Sequence, residues 1–308
     1  MIDYKFVTDT LAAGVLLAIP LTMASLGEII SERAGVINIG IEGYMLLGTM
    51  AGYMGAYFTG NAWAGILVAI VGSTILSLLH AFISVSLRSD QLVSGIGINI
   101  LTFGLTSFIY RISPMGGLKP TVPSFKPLHL PYLSDAPAIG PIFFRHPPLV
   151  YVGFLLIPLT YYLLYKTPFG LRLRAVGEDP LAAETMGINV TRVRYLCVAS
   201  CGAFSGMAGA FLSLSYLSMF IEGMTAGRGF IALAAVIVAG WDPVKALIIC
   251  LLFGFADSLQ LRLQIMGTGI PYSFLMMIPY LMTISILVAK GRVFVPKALG
   301  VPYRKVEE

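Results

Sequence analysis

From Gly43 to Leu87 the chain carries no aspartate, glutamate, lysine or arginine. A run of that length cannot form a hydrated surface, and a soluble domain of this size could not make all of it core. It fits the hydrocarbon of a bilayer, which about 20 mainly apolar residues cross at a thickness of roughly 30 Å. The polar turn "TGNAW" at Thr59 to Trp63 divides the run into two crossings. Similar apolar runs recur, and the spacing predicts spans at about 8–27, 36–58, 61–87, 91–110, 148–166, 193–219, 228–240, 244–262 and 270–289. Only 11% of the 308 residues are charged and 57% are hydrophobic, whereas a soluble domain carries about 25% charge. The expected fold is all-α: a polytopic transmembrane helical bundle of about 9–10 spans including half-helices, forming one domain over residues 1–308. The stretch at 228–240 is too short to cross alone and reads as a re-entrant or half-helix, which survives at membrane depth only where protein or a water-filled cavity surrounds its ends.

Basic residues tend to stay on the cytoplasmic side of a membrane. Arg33, Arg88, Lys166, Arg172, Arg174, Arg192, Arg194 and the basic C-terminal stretch therefore assign that side, with the C-terminus cytoplasmic and the N-terminus extracytoplasmic. The loop at about 111–147, rich in proline and aromatic residues, is expected to be an ordered extracytoplasmic cap. The first apolar run follows Asp3 and has no small-x-small site after it, so it reads as a retained span. Cys197, Cys201 and Cys250 lie in apolar runs and read as buried packing residues. Gly48, Gly52 and Gly55, and Gly202, Gly206 and Gly209, have the spacing that lets helix backbones approach closely. "RAGVINIGIEGYMLLGTMAG" and "GRGFIALAAVIVAG" faintly echo one another, as halves of transport folds do.

Ionisable groups inside spans are costly and point to function. Glu42 is the clearest, with Asn38 on the same face if both are helical at i, i+4 spacing. Two readings fit Glu42: it faces a polar cavity with Asn38, or it pairs with a base or caps a broken helix. Asn99, Asp257 and Gln260 are further polar candidates, and Phe103, Phe230 and Trp241 have faces on which a planar base can stack, although packing or a lipid-facing belt accounts for them as well. His80 reads as a satisfied bundle residue. His129 and His146 have no partners at metal-ligand spacing. Arg228 reads as a snorkelling side chain.

The other exception to the apolar pattern is "LRLRAVGEDPLAAETMGINVTRVRY" at 171–195, with 7 charged residues in 25. Asp179 suits an N-cap, Pro180 the first helical position and Gly187 a left-handed C-cap, which predicts a helix of about two turns. Leu181, Ala182, Thr185 and Met186 then share one face. Two readings follow: a solvated loop obeying the charge bias, or a rigid peg on which a cytoplasmic protein docks.

"SERAGVINIGIEGYMLLG", "LRAVGEDPLAAETMGIN", "SGMAGAF" and "GRGFIALAAVIVAGWDP" together resemble the permease subunits of bacterial ATP-binding cassette (ABC) importers, in the branch of branched-chain amino acid, ribose and nucleoside permeases. The first of these is most similar to the nucleoside or simple-sugar subgroup, and the resemblance covers essentially the whole chain. It implies a type II-like importer permease in a bacterial plasma (inner) membrane, with a cytoplasmic coupling segment at about 170–192. Glu178, Asp179, Pro180, Leu181, Ala182, Thr185, Met186 and Gly187 would form the coupling helix seated in an ATPase subunit. It also implies a second permease subunit, in the nucleoside subgroup often a different chain, an extracytoplasmic substrate-binding lipoprotein, and a small hydrophilic substrate, nucleoside first and simple sugar second. Asn38, Glu42, Asn99, Phe103 and Phe230 are the pathway candidates. No nucleic acid partner and no cofactor of this chain are expected. A phosphate-cradling loop needs Gly-Lys, which occurs nowhere in the sequence, so ATP and Mg belong to a separate ATPase. An ion-coupled secondary transporter would need an intramembrane relay of carboxylates, and an intramembrane enzyme clustered acids, histidines or ligands; both patterns are lacking.

Overall fold

The computed structural model describes residues 4–114, 120–129, 131, 133–134, 136, 139–266, 271–290 and 295–304. Thirteen helices are described, α1 (Tyr4–Arg33), α2 (Ile41–Thr59), α3 (Ala62–Ala81), α4 (Gln91–Ile112), α5 (Ile139–Phe143), α6 (Pro148–Lys166), α7 (Pro168–Glu178), α8 (Pro180–Thr185), α9 (Val190–Phe211), α10 (Arg228–Ala239), α11 (Pro243–Ile265), α12 (Tyr272–Met276) and α13 (Ile278–Lys290). No strand occurs among the described residues. Short π-helical turns, Phe82–Ser86 and Leu212–Tyr216, extend α3 and α9.

Six helices are long and apolar enough to cross a membrane, namely α1, α3, α4, α6, α9 and α11. The 19-residue α2 and the 12-residue α10 complete the inner bundle. The expected single span at 270–289 is instead α12 and α13. Pro279 at the second position of α13 has no N–H to extend the helix before it, which accounts for the break.

The first helix differs most from its expectation. It continues to Arg33 rather than ending near residue 27, and it is buried almost throughout, from Gly14 to Glu32. It is the mast of the bundle, packed against α9, α10 and α11, and not a peripheral anchor. At 1.5 Å per residue its 30 residues reach about 45 Å.

The glycine spacing works as packing. A Cβ on Gly209 of α9 would overlap the Met45 carbonyl of α2, and one on Gly48 would overlap the Gly206 carbonyl. These two helices therefore touch backbone to backbone. Helices α2, α3 and α9 form one tight layer whose exposed side carries Leu67, Val71 and Ile75 of α3, residues suited to lipid. The three cysteines are free and buried, as expected.

Residues of the 111–147 loop lie across one end of this layer. Phe125 N–H donates to the Leu214 carbonyl (3.0 Å), Val122 N–H to the Ser218 carbonyl (3.2 Å), and the Tyr53 hydroxyl to the Pro120 carbonyl (2.7 Å). At the opposite end a C-terminal tail, 295–304, closes over the bundle. Ala298 N–H donates to the Gly177 carbonyl (2.9 Å), Gly300 N–H to the Gly35 carbonyl (3.3 Å), and Arg194 to the Val301 carbonyl (3.2 Å).

Candidate functional site

The half-helix α10 begins at Gly227, whose φ of +82° is open to glycine without strain, and ends at Gly240. Its C-terminal end is held at the tail side of the bundle, where Arg33 donates to the Trp241 carbonyl (3.3 Å). Twelve residues rise only about 18 Å, short of a hydrocarbon layer of roughly 30 Å. The N-terminus of α10 therefore stops at mid-depth, with amides that need partners.

Glu42, in the first turn of α2, supplies them. Its Oε1 accepts from the Thr225 hydroxyl (2.6 Å) and Gly227 N–H (2.9 Å), and its Oε2 accepts from Gly229 N–H (2.7 Å). A carboxylate at that end also complements the positive end of the helix dipole. Of the two readings of Glu42, the capping one describes its bonds. Glu42 is also only partly covered and lines an open, mainly apolar cavity of about 380 Å³, without Asn38. Asn99, Phe103, Thr225 and Phe230 line the same cavity. The two sequence segments that echo each other thus meet at Glu42 and Gly229, where a Cβ on Gly229 would press on the Glu42 backbone at 2.6 Å.

The cavity brings together four of the five pathway candidates, Glu42, Asn99, Phe103 and Phe230. Asn99 is fixed by Gly43 N–H, which donates to its Oδ1 (2.8 Å), and by its own Nδ2, which donates to the Ile39 carbonyl (2.9 Å). Phe103 and Phe230 are about half exposed on the cavity wall. Asn38 is elsewhere. Helix α2 starts only at Ile41, so Asn38 is not helical and the i, i+4 relation to Glu42 fails. It sits fully buried in the preceding turn, accepting from the Tyr44 hydroxyl (2.9 Å). Trp241 is not a stacking residue of the cavity either: it is buried, and its Nε1–H donates to Glu32 (2.5 Å). Asp257 and Gln260 belong to α11 and do not line the cavity. Arg228 does not line the cavity; its Nη1 donates to the nearby carbonyls of Met224 (3.2 Å) and Thr225 (3.3 Å). His80 is satisfied between the Ser94 hydroxyl (3.0 Å) and the Ile37 carbonyl (3.2 Å).

Sequence reasoning missed Thr225, which lies between spans in an irregular segment, and the buried acids Glu28 and Glu32. With the first span expected to end near residue 27, those two fell outside it. Glu28 is fully buried, accepting from Asn38 N–H (3.1 Å) and the Cys201 thiol (3.2 Å). Their i, i+4 spacing in "GEIISE", which puts both acids on one helix face directly after the apolar run, was the available signal.

The charged segment at 171–195 folds as two short helices, α7 and α8, followed by the first turns of α9. Thr167 caps α7 by accepting from Gly170 N–H (3.1 Å). Asp179 caps α8 by accepting from Leu181 N–H (3.1 Å) and Ala182 N–H (3.0 Å), Pro180 is its first residue, and Gly187 turns the chain out at φ +79°. Glu178 and Asp179 are exposed at the start of the helix, and Leu181, Ala182, Thr185 and Met186 are exposed on it, while Ala183 faces inward. Leu181 (47% exposed) and Met186 (81%) thus form an apolar knob on a polar surface. The knob is anchored in three ways. Ala183 and Val176 join a buried cluster with Ile30 and Trp241, Gly177 passes so close to the Arg33 carbonyl that a Cβ there would overlap it, and the Tyr303 hydroxyl of the tail donates to Glu184. Loss of water contact, then the neighbouring Glu184 carboxylate, push the Tyr303 phenol up to about 12. It therefore remains a donor at neutral pH.

The chain matches, over residues 10–287, the family model described as "Branched-chain amino acid transport system / permease component". It is 40% identical over 306 residues to the guanosine ABC transporter permease protein NupQ of Bacillus subtilis, covering 95% of each chain. It is 42% identical over 264 residues to the "Putative glucose ABC transporter permease protein TsgC13" of Haloferax volcanii, covering 84% of this chain and 79% of the relative. A solved structure titled "An inward-facing conformation of a putative metal-chelate type ABC transporter" superposes with a TM-score of 0.51 at 15% identity, over 90% of this chain and 85% of that one, a likeness of fold. With the family model spanning nearly every helix described above, the chain is a multi-pass membrane protein belonging to the ABC transporter permeases of the branched-chain amino acid transport family.

Proposed function

We propose that this chain is the translocation subunit of an ATP-driven importer that takes up nucleosides. The observation that carries the reading is the 40% identity to a guanosine permease over 95% of both chains. The cavity is consistent with it, offering two half-exposed phenyl faces, Phe103 and Phe230, beside the polar groups of Asn99 and Glu42. A simple sugar is the second reading, favoured by the 42% identity to TsgC13.

ATP and Mg act in a separate ATPase subunit, on which α8 docks through Leu181 and Met186. A second permease subunit of different sequence and an extracytoplasmic substrate-binding lipoprotein complete the assembly. The membrane is the plasma membrane, with α8 and the C-terminal tail cytoplasmic. The same side then holds Arg33, and the length of α1 carries Tyr4 to the outside.

The test is uptake of labelled guanosine in cells with and without the gene, with unlabelled nucleosides and pentoses as competitors. Uptake that depends on the gene and yields only to nucleosides supports the first reading. Competition by pentoses favours the second, and uptake independent of the gene removes the nucleoside assignment.

A further inference from the structure

The N-terminus of a mid-membrane half-helix is an anion site by construction, since its free N–H groups and its dipole both favour negative charge. Here that site is already filled from within the chain. Glu42 takes Gly227 N–H, Gly229 N–H and the Thr225 hydroxyl. All three partners are donors, which is the set an ionised carboxylate requires.

The cavity wall follows from that arrangement. Glu42 is the one ionisable residue among those described as lining it. The nearby cation, Arg228, does not line the cavity: its Nη1 donates to the carbonyls of Met224 and Thr225, and its charge also acts on Asp257 of α11. Asn99 has its Oδ1 engaged by Gly43 and one Nδ2 proton by Ile39. The remaining lining is small or apolar, including Leu46, Ile100, Phe103 and Phe230. An entering molecule therefore meets a negative charge with lone pairs to spare, aromatic faces, and almost no unspent donor.

We propose that Glu42 is a charge filter: by occupying the half-helix amides it makes the cavity accept neutral, hydroxyl-bearing molecules and refuse anions. Hydroxyl groups of a ribose or hexose donate to the free lone pairs of Glu42, and a flat ring lies against Phe103 or Phe230. A carboxylate or a phosphate ester would lose its water, meet Glu42 at close range and find no cation on the cavity wall to compensate it. Nucleosides and simple sugars pass on this criterion, whereas nucleotides, sugar phosphates and amino acid carboxylates do not. The inference rests on the importer reading and narrows its substrate class, adding a selection step at the permease to that of any binding protein.

The experiment uses the purified assembly of this chain with its ATPase and partner permease, and acetate as the probe, against chloride at equal ionic strength. In the wild type, acetate and chloride have the same effect on the thermal midpoint. Glu42→Ala empties the three donors. There acetate raises the midpoint, binds about tenfold more tightly than to the wild type, and restores part of the lost guanosine uptake in proteoliposomes. If Glu42→Ala does not accumulate, Glu42→Gln carries the comparison, because it keeps the size and removes the charge; a gain in acetate affinity of about threefold is expected. An equal response to acetate in the wild type and in the variant that accumulates overturns the filter. The two readings fail separately. Wild-type transport of guanosine with no acetate difference sinks the filter alone. An acetate difference without guanosine transport sinks the nucleoside assignment and leaves the filter standing.

Discussion

At the scale of single residues, the acids Glu28, Glu32 and Glu42 are each held by hydrogen bonds contributed from far along the chain. Glu32, nearly fully buried, depends on the indole N–H of Trp241. Trp241→Phe leaves the carboxyl without that donor, and a loss of about 1–3 kcal/mol is expected. A lowered thermal midpoint in detergent checks it, and an unchanged midpoint would mean that water takes the place of the indole. Glu42→Gln is expected to reduce guanosine uptake severalfold while leaving co-purification with the ATPase intact. Equal losses of both would assign Glu42 to scaffolding alone. The sequence made Glu42 conspicuous because a lone acid follows "AGVINIGI" within apolar surroundings. It did not reveal the partners, since Thr225, Gly227 and Gly229 are far away in sequence and become neighbours only when α10 meets α2. Asn38 fell to a different cause: a spacing argument is valid only inside a helix, and Gly40, the N-cap of α2, marks the turn that puts Asn38 outside it.

At the scale of elements, local chemistry was easier to read. The cap at Asp179, the proline after it and the glycine at 187 act within a few residues of one another, so α8 was legible without tertiary knowledge. Asp179→Ala is expected to cost about 1 kcal/mol of local helix stability, seen as faster amide exchange confined to 180–186. Leu181→Asp or Met186→Asp should leave the protein inserted and remove the ATPase from the purified complex, because a charge would enter the knob; normal co-purification of both variants would refute docking at this face. Interhelical contact is also an element-scale property. Gly209→Val would place a branched side chain against the Met45 carbonyl, and overpacking of this kind costs about 1–3 kcal/mol or more. The expected result is poor accumulation in the membrane, measured by fluorescence of a fused reporter. The position of α1 was not legible. Hydropathy separates apolar from polar but gives the same signal for a helix facing lipid as for one facing other helices.

At the scale of the whole molecule, the native cysteines make topology testable. All three are buried, so a thiol placed at exposed Met186 would be the reactive one. In membranes made without the ATPase, Met186→Cys is expected to react with a membrane-impermeant maleimide in inside-out vesicles and not in intact cells, and the opposite pattern would invert the orientation. The tail bears on how such a molecule is made. Residues 298–303 follow every helix described, yet they hold Gly35 at the foot of α1, Gly177 at the end of α7 and Glu184 within α8. During synthesis the membrane-embedded helices are laid down before this clasp is available. The knob on α8 is translated earlier but fully supported only afterwards, so a ribosome-bound chain lacking the clasp would present an unfinished face to any ATPase. Partner recruitment would then act as a proofreading step on completed chains.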